Sequence, residues 1–243
     1  MLAADSLVLP GRLCGVSLNL RPGEVTAICG PNGAGKSSLL SSLAGLLAPA
    51  SGKVLLDGAA LSDLKPEARA RALGYLPQTP EVAWDISVET LAGLGRLPWR
   101  TSAAEDAAAV EAALCALDLA AFAHRPVSQL SGGERARALL ARVLAGTPRW
   151  LLADEPLANL DLAHQLALLA HLRTCAGQGM GVVLVLHDLA LAMNHADRVV
   201  VLDQGAVAAD GSPELALAEP VLAQVWGVRA RWLGDPGQRA LAV

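Results

Sequence analysis

The chain has 243 residues, enough for one sizeable core with an appended subdomain. Its formal net charge is −4 and no long basic run occurs, which gives no support to a nucleic-acid-binding surface. Apolar residues make up 53% of the chain, yet there is no run of about 18 consecutive ones, so no membrane-spanning helix is expected.

The N-terminal stretch MLAADSLVLPGRLCG has no basic segment ahead of a long apolar one, so no secretion signal is expected. VSLNL (16–20) alternates apolar and polar residues, the pattern of a half-buried strand. EVTAIC (24–29) has the texture of a buried strand and feeds a glycine-rich loop; a helix is expected from Lys36 to Leu46, stopped near Gly45 and Pro49. KVLLDG (53–58) predicts a strand ending in an Asp-Gly turn, and LGYLPQ (73–78) a short strand with a proline stop. From about 84 to 146 alanine-rich helical patterns take over, as in SAAEDAAAVEAALCAL. Strand texture returns at 149–154, 181–187 and 198–205, with helices at about 162–176 and 188–196 between.

Continuous apolar strands alternating with helices predict an α/β fold with a mainly parallel sheet covered on both faces, and antiparallel strands at its two ends. The expected organisation is one domain, with an α/β core over about 1–83 and 147–243 and an inserted helical subdomain over about 84–146. No internal repeat or disordered linker is evident. Cys14, Cys29, Cys115 and Cys175 are far apart with no CxxC, and are expected to be reduced, small core hydrophobes.

The loop GPNGAGKS meets the pattern G-x-x-x-x-G-K-S at Gly30, Gly35, Lys36 and Ser37. Glycines let the backbone curl so that successive N–H groups point at phosphate oxygens. The helix that follows adds its positive end, the lysine reaches the β- and γ-phosphates, and the serine hydroxyl can ligate Mg²⁺. The strand before and the helix after are the context a phosphate-binding loop requires. RWLLADEP puts Asp154 and Glu155 at the end of an apolar strand. Two acids there either cap the next helix or hold a Mg²⁺ shell and face an attacking water; beside a phosphate loop the second role is preferred.

LSGGE (130–134) sets the class. Together with the phosphate loop, the DEP strand end, ANLD (158–161) and LHD (186–188), it closely resembles the ABC ATPases in order and spacing over nearly the whole chain. Taken alone, LSGGE is also an ordinary helix start with Ser131 capping and Glu134 three residues on, and such a start receives phosphate well. The resemblance implies a P-loop NTPase of ABC type that uses ATP and Mg²⁺. It implies that Asn32, Gly33, Gly35, Lys36, Ser37 and Ser38 contact the phosphates, with Ser37 also on the metal. Gln78 would touch Mg²⁺ or the water, Asp154 would hold the metal shell, and Glu155 would be the general base. His187 would contact the γ-phosphate and orient water. Ser131, Gly132 and Gly133 would face ATP held by a second copy of the chain, with Asp161 across the dimer interface. The implied assembly is a homodimer closed by ATP and released by hydrolysis. His124, His164, His171 and His195 are assigned to surface or packing. One departure stands out: ADSLVLPGRLCG (4–15) has no aromatic residue where the family stacks one on adenine, which predicts loose base selectivity.

A fused membrane span, a second ATPase half and a long coiled-coil insert are all missing from the sequence, which fits a separate subunit serving a separate permease. SVETLAGLGRLPWR (87–100) and the tail VWGVRARWLGDPGQRALAV resemble the importer ATPases for iron–siderophore, haem and cobalamin uptake. That resemblance implies a peripheral subunit at the cytoplasmic face of the plasma membrane. Its partners would be an integral membrane permease and, indirectly, a periplasmic binding protein. An exporter ATPase and a soluble ABC switch remain the alternatives. Trp84, Arg96, Leu97 and Trp99, within about 84–100, are expected to be exposed anchors lining a groove for a short permease helix, in preference to the alternative that they fill the helical subdomain's own core.

Overall fold

The computed structural model describes residues 1–78, 85–158 and 160–243. Trp84 lies outside the described residues. In chain order, a hairpin of β1 (Leu2–Leu9) and β2 (Leu13–Leu20) precedes β3 (Val25–Cys29), α1 (Lys36–Leu43), β4 (Ser51–Leu56) and β5 (Ala59–Ala60). Next come α2 (Pro66–Ala72), β6 (Leu73–Leu76), α3 (Val88–Gly93), α4 (Ala103–Ala116), α5 (Gly132–Ala145), β7 (Trp150–Asp154) and α6 (Leu162–Gly177). The chain closes with β8 (Gly181–Val185), α7 (Leu189–His195), β9 (Arg198–Asp203), β10 (Ala206–Gly211), α8 (Pro213–Ala216), α9 (Glu219–Trp226), β11 (Arg231–Leu233) and β12 (Ala240–Ala242). These elements fall into two compact units, Met1–Leu64 with Cys175–Val243, and Lys65–Thr174.

Besides the hairpin of β11 and β12, the first unit holds strands of two sheets. In one, β2, β1, β4 and β5 are neighbours in that order and all antiparallel. In the other, β3 lies between β9 and β8, parallel to both, and β10 closes the edge antiparallel to β9. Every residue of β3 and β8 is buried, as expected of parallel strands covered on both faces. β1 is not apparent from the sequence because the hydrophobic alternation breaks where a bulge shifts the register between Ala4 and Leu7, with Ser6 at φ 52°. α1 stops at Leu43, three residues before the expected end. Gly45, at φ 71°, donates to Ser42 O at 2.9 Å and Leu46 donates to Ser41 O at 3.0 Å, a Schellman motif that ends the helix through its own carbonyls.

The second unit contains the helices expected for about 84–146 together with α2, β6, β7 and most of α6; β6 and β7 pair in parallel. Serines start α3, α4 and α5. Ser87 caps α3, and Ser102 and Ser131 each form a reciprocal capping box, with Glu105 on α4 and Glu134 on α5. The helices pack closely enough that an ideal Cβ at Gly95 would sit 1.9 Å from the Arg142 carbonyl oxygen. Gly95→Ala is therefore expected to lower the unfolding free energy by about 1–3 kcal/mol, read as a shift in the urea midpoint at constant slope.

Two expectations need correcting. Arg96 is only 8% exposed, and Trp99 is half-buried with its indole N–H on Gly146 O at 2.9 Å. Both are therefore interior residues of this unit and not exposed anchors, because their polar atoms find partners inside it. Leu97, at 77% exposure, is the member of that run that does face solvent. Of the cysteines, Cys29 alone is fully buried; Cys14 and Cys115 are exposed, being on outward positions of β2 and α4, and none of the four forms a disulfide among the described residues. Burial pushes the Cys29 thiol up to about 12 against the opposing charge of Lys36, so it stays a neutral packing group at neutral pH.

Candidate functional site

In the first unit the site residues gather at the C-terminal ends of adjacent parallel strands, where open α/β sheets hold their ligands. β3 ends at Cys29 and runs into the glycine loop; β8 ends at Val185 and runs into His187. The strands pair up to Ile28 opposite Val185, and Leu186 N–H donates to Ile28 O at 3.1 Å, so His187 leaves the sheet beside the loop. His187 is exposed, and Asp188 next to it caps α7 through the N–H groups of Ala190 and Leu191 at 2.8 and 3.1 Å.

The loop has the form of a cradle. Gly30, Gly33 and Gly35 have φ of 150°, 80° and 98°. A Cβ at Gly30 would lie 2.2 Å from Leu202 O, and one at Gly35 2.5 Å from Arg12 O, so the loop is pressed against its surroundings at those two points. Gly33 instead faces open space, and Asn32 beside it is exposed. Lys36 is 6% exposed, and its ammonium donates to Gly30 O at 2.8 Å and Pro31 O at 2.9 Å. That holds the charge over the mouth of the loop. Ser37 is exposed and Ser38 half-buried at the start of α1, whose first N–H groups have no partner within the helix. A polyphosphate fits this arrangement of inward amides, one fixed cation and a helix start. Arg12, in the exposed turn of the first hairpin, is a neighbour of the loop that sequence reading did not find; contact with Gly35 runs through a backbone carbonyl and leaves no local pattern.

In the second unit a cavity of about 310 Å³ brings Gln78, Gly132, Asp154 and Glu155 together. Asp154, 3% exposed, ends β7, and Gln78 follows the neighbouring strand β6. Glu155 turns the chain at φ 53°, a left-handed conformation that costs a non-glycine residue on the order of 1 kcal/mol and recurs at functional sites. Arg135, one turn into α5, lines the same cavity and was not among the expected site residues. Ser131 caps α5, accepting from Glu134 N at 3.3 Å, while Ser131 N donates to Glu134 Oε2 at 2.7 Å; Gly132 and Gly133 form the first turn. The Ser131 N–H, and after it the Ser131 hydroxyl, hold the Glu134 carboxyl below its ordinary range.

Asp161 is exposed at the head of α6 and accepts from His164 N at 2.9 Å. His164 Nδ1 lies 2.7 Å from the same oxygen, and the Asp161 carboxyl is held low by both contacts. His164, partly exposed, thus pairs with Asp161 at the surface. An acid and a histidine three apart at a helix start was the available signal. His124 has an exposed contact to Glu89 at 3.2 Å.

A family model described as ABC transporter matches residues 13–158, which include the phosphate loop, Ser131 and the end of β7. The chain belongs to the ABC transporter family. It is an ATP-binding cassette, an ATPase whose hydrolysis serves transport. It is 45% identical over 233 residues to the "Hemin import ATP-binding protein HmuV" of Streptomyces coelicolor, covering 95% of this chain and 83% of that one. Among solved structures it resembles an inward-facing putative metal-chelate type ABC transporter, with a TM-score of 0.83, 25% identity and coverage of 99% and 95%. A dimeric cassette in a post-hydrolysis state with ADP and Pi superimposes with a TM-score of 0.79 at 27% identity, over 88% of this chain and 99% of that one. Among the described residues, no helix is long and apolar enough to cross a membrane.

Proposed function

We propose that this cassette is the energy-coupling ATPase of an importer that takes up haem or a closely similar metal chelate. The observation that carries the cargo reading is the 45% identity, over 95% of this chain, to a protein named for hemin import. In this reading two copies close around ATP and drive an integral membrane permease, which keeps the cassette peripheral at the cytoplasmic face. A periplasmic binding protein delivers the cargo.

Within the cassette, the amides of Asn32, Gly33, Gly35, Lys36, Ser37 and Ser38 and the Lys36 ammonium bind the phosphates. Ser37, Asp154 and Gln78 would be the residues to offer oxygen donors to Mg²⁺, which would supply charge neutralisation at the γ-phosphate; hard oxygen donors of this kind are what that ion takes. Glu155 accepts the proton of the attacking water, and His187 orients that water and the γ-phosphate. Ser131, Gly132 and Gly133 meet the nucleotide of the other copy, with Asp161 beside the interface.

The test is uptake by vesicles containing the cassette and its permease, supplied in turn with haem, cobalamin and a ferric siderophore. ATP-dependent accumulation of haem at least tenfold above the other two supports the cargo. Preference for either of the others replaces it, and ATP-driven efflux from loaded vesicles removes the importer reading.

Base selectivity offers a separate prediction. Leu7, Leu9 and Leu13 are buried, and no aromatic side chain occurs in residues 4–15. GTP is therefore expected to support hydrolysis within about tenfold of ATP, equivalent to about 1.4 kcal/mol. A steeper preference in kcat/KM would show that another group reads the base.

A further inference from the structure

Arg96 is a buried cation whose bonds run to the C-terminal end of α5 and to the start of α4. Its Nη1 donates to Ala145 O at 3.1 Å, at the last residue of α5, and lies 3.3 Å from Thr147 Oγ1. Nε donates to Asp106 Oδ1 at 2.8 Å and Nη2 to Thr101 Oγ1 at 3.1 Å. The guanidinium stacks on Trp99 at 4.9 Å, and Trp99 donates to Gly146 O, just past the same helix end. Gly95 is pressed against the Arg142 carbonyl in the last turn. Residues 95–99 thus form a bracket around the C-terminal end of α5, satisfying carbonyls that a helix leaves open there.

We propose that Arg96 is a positioning residue for ATP hydrolysis: it anchors the C-terminal end of α5 and so holds Ser131, at the other end, in register for turnover. This rests on the reading that Ser131 meets nucleotide. α5 has 14 residues, so at about 1.5 Å per residue it is a rod of about 20 Å. A tilt of about 10° about its far end would move the serine by about 3 Å, and a misplacement of about 1 Å can cost about a hundredfold in rate. The serine cap fixes the local geometry of the helix start but not where that start sits. A planar fork reaching a backbone carbonyl and a threonine hydroxyl at once is a stiffer anchor than a point charge, which explains arginine here in place of lysine.

The test compares Arg96→Met, Asp106→Asn and Ser131→Ala in the full-length chain, measuring thermal melting, nucleotide Kd, kcat and KM. Arg96→Met is expected to lower kcat ten- to hundredfold with Kd for nucleotide and KM unchanged. Asp106→Asn keeps the bonds to Ala145 and Thr147 and should stay within twofold of wild type. If Arg96→Met does not fold, Trp99→Phe keeps an aromatic face for the guanidinium while removing the bond to Gly146 and the pyrrole part of the indole. It is then expected to lower kcat at least threefold at unchanged KM. Wild-type kcat in the folded variant, or equal losses in Asp106→Asn and Arg96→Met, would overturn the proposal and leave the cluster a stabilising ion pair. Ser131→Ala separates the two levels: unimpaired turnover there removes the underlying reading, whereas loss there beside wild-type Arg96→Met removes only the anchor.

Discussion

Glu155→Gln is expected to leave ATP binding intact and to lower turnover by about 10²–10⁴-fold, the usual contribution of a general base. Glutamine keeps the shape of the side chain and loses only the capacity to take a proton. The residue follows the buried Asp154 at the end of β7, lines the cavity with Gln78, and sits in a left-handed turn. Strain of that kind persists where the surrounding structure imposes it, so the amide is expected to occupy the same position. Binding contacts on the glycine loop are untouched. An ATP-stabilised dimer should therefore accumulate, visible by size-exclusion chromatography with ATP, while phosphate release nearly stops. Hydrolysis at the wild-type rate would take the base role away from Glu155.

Lys36→Ala is expected to act at the earlier step, weakening nucleotide binding by about ten- to a hundredfold. A hydrogen bond to a charged group is worth about 1.5–3 kcal/mol, and the ammonium is already desolvated and held by two loop carbonyls. The variant therefore loses a charge positioned in advance, at little further ordering cost on binding. Titration with a fluorescent ATP analogue reads this directly. Ser131→Ala is expected to bind nucleotide normally and lose turnover, because in the proposed reading it meets ATP held by the other copy. Mixing the two variants should restore activity above either parent, since a mixed dimer has one intact composite site. An unaltered Kd in Lys36→Ala would place the affinity elsewhere in the loop. No recovery in mixed dimers shown to form would remove the action in trans.

The sequence by itself determined the parts of this protein whose signals are local. β3, β7, β8 and β9 are legible because strands buried on both faces need nearly continuous apolar runs. The glycine loop is legible because a turn with successive positive φ values admits few residues besides glycine, and Lys36 and Ser37 follow at fixed spacing. The starts of α4 and α5 are legible because a serine with glutamate three residues on completes a cap within four positions. The tertiary structure decided what depends on partners far along the chain. β1 needed its pairing with β2 and β4 to declare itself, since a bulge disrupts its alternation. Arg12 came to the glycine loop through a backbone carbonyl, which no side-chain pattern records. The clearest instance is Arg96 with Trp99. An arginine and a tryptophan beside a proline have the composition of an exposed anchor, and nothing within the segment says otherwise. A guanidinium can be buried only where its donors are met, and the carbonyl of Ala145 that meets one of them lies 49 residues away.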